Sequence, residues 1–326
     1  MTVAELLFRM TNMRVLVVGD VCLDRWCQYD PLLSIPSAET GIPRIAVIET
    51  EPTPGAAGTV ANNLKALGVK EVAVLSAIGD DGFGYELRQA LSYRQINSDY
   101  LVTDPGLNTF TYTKLLNKNT QVEDLPRVDF VNARNIPTGV EASICDMLDT
   151  ASRFDVICVS DQAETETGGV VTAAVRGRLA RFAAKEDKLV WVDSRRRAEL
   201  FRRAVIKINT EEAAEVRGRT GAESFEALRK LTESPALYIT HGGNGVEIFN
   251  EDGETWVMTQ RVPHPVDICG AGDSFTAGAA CALAAGATAQ AAARLGHLVA
   301  SVTIMKPGTG VASPAEVLEA ERLVNA

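Results

Sequence analysis

The chain has 326 residues, of which 46% are hydrophobic and 23% charged, a composition typical of a globular protein with a sizeable core. Its formal net charge of −10 argues against nucleic acid or an anionic membrane surface as a partner, because both favour a basic protein face. Its six cysteines form no C-x-x-C and its three histidines are scattered, so the sequence predicts no zinc site and a reduced, cytoplasmic protein.

Neither of the two apolar regions near the ends of the chain has the pattern of a targeting signal or a membrane-spanning segment. Segment 1–12 has no cleavage-type ending, so we predict no signal peptide. Region 277–305 is interrupted by Gln290, Arg294 and His297, which excludes an ordinary membrane span.

Short apolar runs alternate with helical patterns along most of the chain. Six runs predict buried strands, at 14–20, 72–79, 155–161, 188–194, 205–210 and 236–242. The helical patterns lie at 59–67, 83–94, 141–153, 168–186, 211–219, 224–232, 273–286 and 288–305. This alternation predicts an α/β fold with a doubly wound, mostly parallel sheet, in which ligands bind where strands end and helices begin.

Two segments depart from that pattern. Residues 42–51 and 109–132 alternate apolar with polar side chains, as half-exposed antiparallel strands do. We expect them to form one small sheet, a lid over the edge of the main domain, whose open edge predicts a homodimer formed through the lid. The boundaries that follow are a lid at about 25–53 and 107–132, a single domain at 13–326 and an N-terminal extension at 1–12.

The stretch 266–278, VDICGAGDSFTAG, places Gly270, Ala271 and Gly272 at the start of a helix of small residues. The dinucleotide pattern G-x-G-x-x-G fails at its third glycine, and no Gly-Lys-Ser/Thr of a P-loop follows. Consecutive amides at a helix N-terminus form an anion site, and Asp273 in the first turn is favoured as a carboxylate. This pair suits a general base acting while charge builds on a phosphoryl group, whereas a tight turn capped by Asp273 is the alternative.

Written as D-x-x-G-A-G-D-S-F-x-A-G (267–278), the same stretch resembles the C-terminal signature of the ribokinase-like (PfkB) family of sugar and nucleoside kinases. Other stretches resemble the family's motifs in the family's order: GDVCLD (19–24), PGAAGTVANNLKALG (54–68), IGDDGFG (78–84), NTEE (209–212) and THGGNG (240–245). Within the family, GDVCLDRW, YTKLLNKNTQ and VTIMKPGTGVASPAEV are similar to kinases of heptose phosphate. The resemblance implies a ribokinase-like fold with a β-lid and transfer of the ATP γ-phosphoryl group to a sugar hydroxyl.

The resemblance also assigns roles to individual residues. It implies that Asp273 is the general base and that the amides of Gly270, Ala271 and Gly272 stabilise the transition state. The implied substrate-binding residues are Asp24, Gly55, Thr59, Asn63, Lys114, Arg127 and Asp161. The implied ATP-binding residues are Asn209, Thr240, Gly242, Gly245 and His297. Mg²⁺ is expected near Glu212 through water, and Asp267 resembles part of the family's loop for a monovalent cation, K⁺ or Na⁺.

For several of these residues, an ordinary structural role is the alternative. The alternatives are a hairpin turn for Gly242 and Gly245, a helix cap for Asn209 and Glu212, a core position for His297 and solvated side chains for Lys114 and Arg127. Two residues also depart from the family's N-terminal signature. Ala56 stands where the family has a second glycine, and Thr59 stands where it has an asparagine.

The expected acceptor is a sugar or sugar phosphate, with a heptose phosphate as the first candidate. A nucleoside kinase of the same family and a non-catalytic sugar- or nucleotide-binding homologue are the alternatives. Bifunctional heptose enzymes carry a nucleotidyltransferase domain with an H-x-G-H-type motif. That motif is absent here, so we expect the kinase activity without the second activity.

Overall fold

The structure is a computed structural model that describes residues 1–163, 165, 167–186, 188–259 and 261–325; the last residue of the predicted domain, 326, lies outside them. The strands are β1 (Arg14–Gly19), β2 (Val21–Tyr29), β3 (Val47–Ala56), β4 (Glu71–Gly79), β5 (Leu101–Asp104), β6 (Thr111–Asn117), β7 (Val128–Phe130), β8 (Val156–Asp161), β9 (Leu189–Ser194), β10 (Val205–Asn209), β11 (Ala236–Thr240), β12 (Val246–Asn250) and β13 (Gly253–Val257). The α-helices are α1 (Val3–Met10), α2 (Ala57–Ala66), α3 (Gly82–Tyr93), α4 (Thr138–Asp149), α5 (Ala173–Glu186), α6 (Thr210–Thr220), α7 (Phe225–Leu231), α8 (Ala271–Ala284), α9 (Ala289–Thr303) and α10 (Pro314–Asn325).

The larger sheet has the strand order β13-β12-β11-β10-β9-β8-β1-β4-β5. Neighbours from β11 to β5 pair in parallel, whereas β12 and β13 form an antiparallel hairpin at one edge. The six predicted strands are present as β1, β4, β8, β9, β10 and β11, and the predicted α/β fold class is confirmed. The hairpin was not predicted, although Asp252-Gly253 between two alternating runs is a turn signal.

Both faces of this sheet are buried. Successive side chains of a strand point to opposite faces, so the burial of consecutive residues means that both faces are covered. In β1, Val15 and Val17 join the hydrophobic cluster under α2, α8 and α9, while Leu16 and Val18 join the cluster under α4 and α5. Every one of these four side chains is fully buried. The sheet is therefore doubly wound, with helices on each side.

The smaller sheet has the order β3-β2-β6-β7 and forms the predicted lid. It differs from the prediction in two ways: its first strand begins at Val21, inside the GDVCLD motif, and β2 pairs in parallel with β6. The β2–β3 and β6–β7 pairs are antiparallel as expected. Since β2 follows β1 after the single residue Asp20, the lid is an immediate continuation of the central strand of the main sheet.

The N-terminal segment forms a helix that the sequence analysis did not predict. Thr2 and Glu5 make a reciprocal capping box at the start of α1, a signal that the residues T-V-A-E already carried. The helix buries Leu6, Leu7 and Met10 in the same cluster as β1. The segment predicted as an extension therefore contributes three side chains to the core.

Two further expectations concern the whole chain. All six cysteines are unpaired thiols, and five of them are buried. Within the described ranges, none of the helices has the length and apolar character needed to cross a membrane.

The main sheet places polar side chains together at the carboxyl ends of its parallel strands. Asp161, Asp193 and Asn209 end or nearly end the adjacent strands β8, β9 and β10. Helix α8, which begins at Ala271, packs against β8 and β9. The chain's course reverses around β1, which lies between β8 and β4, and this is the position where such sheets bind ligands.

Substituting Gly296 with alanine should destabilise the protein by about 1–3 kcal/mol, because the close contact of α8 and α9 leaves no room for a methyl group. An added Cβ would lie 2.8 Å from the Phe275 carbonyl oxygen and 3.0 Å from the Ala279 Cβ. Urea denaturation measures the effect. Gly177→Ala is the matched control, since its Cβ meets nothing within 4 Å and alanine favours helix by up to about 1 kcal/mol. Equal stability of the two variants would contradict the packing argument.

Candidate active site

Helix α8 begins directly after a glycine turn. Gly270 has a φ of +76°, in the left-handed region that favours glycine. The amide of Ala271 donates to the carbonyl of Ile268 at 3.2 Å and is engaged within the turn. Among the described residues, the amides of Gly272 and Asp273 have no acceptor, as is usual in the first turn of a helix. Of the three amides predicted to stabilise an anion, that of Ala271 is thus engaged within the turn, whereas that of Gly272 is open.

Asp273 is half-buried in this first turn. Burial raises the pKa of its carboxyl group to about 7, and the neighbouring Asp193 adds to the rise. Lys207 opposes the rise by stabilising the carboxylate. A carboxyl group with a pKa near neutrality is partly ionised at pH 7 and still able to hold a proton, which suits a general base.

A buried ion pair lies beneath the first turn of α8. Lys207 and Asp193 are cross-strand neighbours on β10 and β9, and Lys207 Nζ lies 2.7 Å from Asp193 Oδ2. Both residues are about 95% buried, with 5% and 4% of their surface exposed. A Cβ added to Gly272 would lie 2.9 Å from the ammonium, so the pair requires a glycine above it. The sequence analysis missed Lys207, although a lysine inside the buried run VIKIN is itself a signal.

One large cavity contains most of the predicted nucleotide site. Its volume is about 960 Å³, and its wall includes Asn209, Thr240, Gly242 and His297, all of which were predicted. Its lining continues through Lys207, Val246, Arg261, His264, Ala271, Gly272, Phe275, Ala300 and Ile304. The cavity therefore runs from an apolar end suited to a base to the amides of α8, and Arg261 and His264 enter from a segment that no motif marks.

Gly242 and Gly245 of the THGGNG motif have different surroundings. Gly242 has a φ of +55° and lies in the cavity wall, where an added Cβ would meet nothing within 4 Å. Gly245 has a φ of +126°, and its Cβ would lie 2.4 Å from the Val257 carbonyl oxygen. Gly245 ends the turn that joins β11 to β12, which is the hairpin-turn alternative that the sequence left open, and it packs against β13, so contact with the nucleotide is not needed to explain its geometry.

Asn209 and Glu212 form a capping box at the start of α6. The Asn209 side chain accepts from the amide of Glu212 at 2.9 Å, and the Glu212 carboxylate accepts from the amide of Asn209 at 2.8 Å. This is the capping alternative, and it holds both residues rigidly. Burial and the nearby Asp193 raise the pKa of Glu212.

The donor set fits Mg²⁺ held mainly by nucleotide phosphates. Mg²⁺ usually keeps several waters and uses one or two carboxylates besides phosphate oxygens. Glu212 supplies such a carboxylate, and within the described residues no three acidic, histidine or cysteine side chains gather into a protein-only metal site. The side chain of Asp267 accepts from the amides of Cys269 and Gly308 at 2.9 and 3.1 Å, which makes it a clasp between two loops.

The lid carries several of the residues predicted to bind the acceptor. Asp24 and Trp26 lie on one face of β2, opposite Tyr112 and Lys114 of β6 in parallel register. Burial raises the pKa of Asp24, and Lys114 opposes that rise. Asp24 in turn raises the pKa of Asp273, so the predicted acceptor-orienting group and the predicted base belong to one site.

Both predicted lid cations lie over aromatic rings. Lys114 Nζ lies 4.0 Å from the centroid of the Trp26 ring, and the Arg127 guanidinium carbon lies 4.8 Å from that of Tyr112. Arg127 also makes a bidentate pair with Asp129, with both distances at 2.7 Å. The two cations are therefore pre-positioned by their neighbours, and Arg127 can bind a ligand anion only in competition with Asp129.

The N-terminal signature packs tightly around Asp24. A Cβ added to Gly55 would lie 2.4 Å from Asp24 Oδ2. Ala56 has a φ of +51° and a ψ of −116°, a conformation that a glycine adopts without strain. Thr59 and Asn63 are fully buried, and the side-chain amide of Asn63 donates to the backbone carbonyl of Thr59 at 3.1 Å. These two residues, predicted to bind the acceptor, are thus buried, and the Thr59 methyl group would lie 3.2 Å from a Cβ added to Gly270.

Asp161 is also enclosed by other side chains. It is fully buried, and its carboxylate accepts from Ser194 Oγ at 2.6 Å and from Arg197 Nη2 at 2.5 Å. The predicted contact between Asp161 and substrate would require Arg197 to move. The run SRRR (194–197) thus provides a partly buried cation, Arg197, at the end of β9.

The doubly wound sheet with its β-lid, and the start of α8 beside a large cavity, define a ribokinase-like α/β fold. Solved structures share this fold. The ribokinase of Thermotoga maritima aligns with a TM-score of 0.68 at 17% identity, over 95% of this chain and 99% of that one. Phosphofructokinase-2 of Escherichia coli in complex with potassium aligns with a TM-score of 0.72 at 15% identity, over 96% of this chain and 100% of that one.

The family model described as pfkB family carbohydrate kinase matches residues 13–316, so this chain belongs to that family and is an ATP-dependent sugar kinase by class. The family predicted from the motifs is confirmed. Curated relatives include the bifunctional protein HldE of Trichlorobacter lovleyi, 30% identical over 98% of this chain and 65% of that protein. The protein of the same name from Geobacter sulfurreducens is 32% identical over 93% of this chain and 62% of that protein. The chain thus spans less than two thirds of the length of these relatives.

Lys207→Met should destabilise the protein by about 3–5 kcal/mol, because it leaves the buried Asp193 carboxylate without its partner. Urea denaturation at neutral pH gives the free energy of unfolding. The double variant Asp193→Asn/Lys207→Met should recover much of the loss, since it removes the uncompensated charge. Lys230→Met is the control: its ion pair with Glu226 is exposed and should contribute less than about 1 kcal/mol. A cost for Lys207→Met as small as that of the control would contradict the assigned role.

Proposed function

We propose that this chain transfers the γ-phosphoryl group of ATP to a hydroxyl group of a sugar phosphate, with a heptose phosphate as the first candidate. The observation that carries the proposal is the position of Asp273. Its helix start lines the nucleotide cavity at Gly272, while its carboxyl group is influenced by Asp24 on the lid. A base at that position lies between a phosphate donor and a hydroxyl acceptor.

In the proposed reaction, Asp24 orients the acceptor and Asp273 takes the hydroxyl proton. The acceptor oxygen then forms a bond to the γ-phosphorus as the bond from phosphorus to the β,γ-bridging oxygen breaks, and ADP leaves. The amides of Gly272 and Asp273, with the Lys207 ammonium beneath them, stabilise the charge on the transferring group. Bound Mg²⁺, near Glu212, would neutralise charge on the nucleotide phosphates. A monovalent cation near Asp267 is a further expectation from the family resemblance.

The charge of the lid favours a phosphorylated acceptor. Lys114 and Arg127 both lie on its inner face, and both are close enough to Asp24 to oppose the rise of its pKa. Two cations beside the acceptor-orienting carboxylate suit a substrate that carries an anion as well as hydroxyl groups. The similarity to proteins named HldE supports a heptose phosphate at the level of about 30% identity.

A nucleoside acceptor is supported less well, although nucleoside kinases share the fold. The nucleoside kinase of Burkholderia thailandensis in ligand-free form aligns with a TM-score of 0.72 at 18% identity, over 94% of this chain and 99% of that one. Trp26 and Tyr112 offer aromatic faces on the lid, more than the sequence suggested. A cation already lies over each ring, however, which leaves a base less room to stack.

The homodimer through the lid remains a prediction, and the exposed apolar residues of the lid support it. The edge strand β3 carries Val47 and Ile48, which are 45% and 51% exposed, and Leu32, Ile35 and Ile42 are more exposed still. A second copy of the chain could cover these side chains and pair with the open edge of β3. Cytoplasmic location likewise stays an expectation of the sequence.

Asp273→Asn should lower kcat by about 10²–10⁴-fold, because the amide cannot accept the hydroxyl proton. ADP release is measured with ATP and Mg²⁺ over a panel of heptose, hexose and pentose phosphates, their unphosphorylated sugars and nucleosides. Asp252→Asn, in the exposed β12–β13 turn, is the matched control and should retain full activity. Turnover of the Asp273 variant at the wild-type rate would overturn the assignment of the base. Tight nucleotide or sugar binding by the wild type without turnover of any acceptor would favour the non-catalytic homologue.

The activity should depend on pH through Asp273, whose pKa is about 7. Below that value the carboxyl group is protonated and cannot act as a base, so kcat/KM should fall about tenfold per pH unit, whereas it should level off above about pH 8. The profile is measured at subsaturating acceptor with the variant Asp24→Asn alongside. Because Asp24 raises the pKa of Asp273, its removal should shift the midpoint to lower pH. A profile that is flat from about pH 5.5 to 8 would be incompatible with this base.

A further inference from the structure

Trp26 occupies a fixed position on the inner face of the lid. Its indole nitrogen donates to Thr53 Oγ1 of β3 at 3.3 Å, and its ring lies under the Lys114 ammonium of β6 at 4.0 Å. Trp26 and Lys114 are direct partners in the parallel β2–β6 register. Three neighbouring strands therefore hold the ring, and the position of the Lys114 ammonium depends on it.

The edge of the same ring contacts the main domain at Gly308. A Cβ added to Gly308 would lie 3.3 Å from an atom of the indole, so the glycine backbone itself rests against the ring. The amide of Gly308 donates to one oxygen of Asp267, and the other oxygen accepts from the amide of Cys269. Cys269 precedes the glycine turn that begins α8. A continuous set of contacts thus runs from the lid to the helix start that carries the base.

Lys114 lies at the acceptor side of these contacts. Burial raises the pKa of both Asp24 and Cys269, and in each case the Lys114 charge opposes the rise. The ammonium is therefore close to the acceptor-orienting carboxylate and to the loop before α8 at once. An anion that binds Lys114 therefore lies beside the Trp26 ring beneath the ammonium.

We propose that Trp26 is a positioning residue that couples an anionic group of the acceptor, bound at Lys114, to the Asp267–Gly308 clasp and so to the catalytic helix start. The proposal rests on the proposed function, because it requires an acceptor that carries an anion. A phosphorylated acceptor fixes Lys114, the ring and Gly308 together, and the base and the amides are then held in the geometry for transfer. The unphosphorylated form of the same sugar lacks this connection, so the ring contributes to the choice of substrate without touching the reacting atoms.

The test compares Trp26→Leu with the wild type, using ATP and Mg²⁺ with the best sugar phosphate of the acceptor panel and with its unphosphorylated sugar. With the sugar phosphate, kcat should fall on the order of tenfold or more, which is the range of coupling between contacting residues. The KM for ATP should stay within about twofold, because neither Trp26 nor Gly308 lines the nucleotide cavity. With the unphosphorylated sugar, kcat should change little. Trp26→Phe should retain most of the activity, since a phenyl ring can still lie under Lys114.

A second variant approaches the same contact from the main domain. Gly308→Ala places a methyl group 3.3 Å from the indole at a backbone φ of +65°, which is strained for alanine, and should lower kcat with the sugar phosphate. The double variant Trp26→Leu/Gly308→Ala should lose less than the product of the two single losses, because both changes disturb one contact. Tyr93→Leu, an aromatic substitution at a position that is 86% exposed on α3, is the matched control and should have wild-type kinetics. Thermal melting of each variant verifies that it folds.

Several outcomes would overturn the inference. They are a wild-type kcat in Trp26→Leu, an equal loss of kcat with the phosphorylated and the unphosphorylated sugar, and strictly additive effects of Trp26→Leu and Gly308→Ala. A wild-type enzyme that phosphorylates none of the panel's sugar phosphates is a different result, because it refutes the proposed acceptor class itself. If the wild type is active with a sugar phosphate and Trp26→Leu has the same kinetics, the coupling alone is refuted.

Discussion

The buried pair of Lys207 and Asp193 is the interaction on which the geometry of the site depends. It joins two neighbouring strands at the edge where ligands bind, and it lies in direct contact with the backbone of Gly272. Neither charge could remain in the interior alone, because the desolvation cost of an unpaired ion is several kcal/mol. The pair therefore fixes where α8 begins above the sheet. Burial raises the pKa of Asp273, and the same two residues act on it in opposite directions, with Asp193 adding to the rise and Lys207 opposing it.

Much of the main sheet could be predicted because its strands are continuous apolar runs, a pattern that records burial on both faces. The lid was harder to predict, since β2 contains Asp24, Arg25 and Gln28 and its pairing with β6 is parallel across a long sequence separation. Local patterns do not record which distant strand supplies the partner. The short alternating strands β12 and β13 and the capped helix α1 carried usable signals that a search for apolar runs overlooks.

The nucleotide side of the candidate site followed from the sequence better than the acceptor side did. Motif spacing brought Asn209, Thr240, Gly242 and His297 into one cavity, because each follows a parallel strand or lies on a helix that crosses the same edge. The acceptor residues depend instead on the register of the lid and on which groups already occupy each other. The Asp161 carboxylate is enclosed by Arg197 and Ser194, an arrangement that no spacing in the sequence indicates.

Ala56 gives this acceptor side an unusual property. Its backbone adopts a φ of +51° with a ψ of −116°, which is costly for any residue with a Cβ, at a position one residue from the glycine that packs against Asp24. Strain of this kind is retained only where neighbouring structure imposes it. The shape of the β3–α2 junction therefore reflects the surrounding packing more than the conformational preference of Ala56 itself.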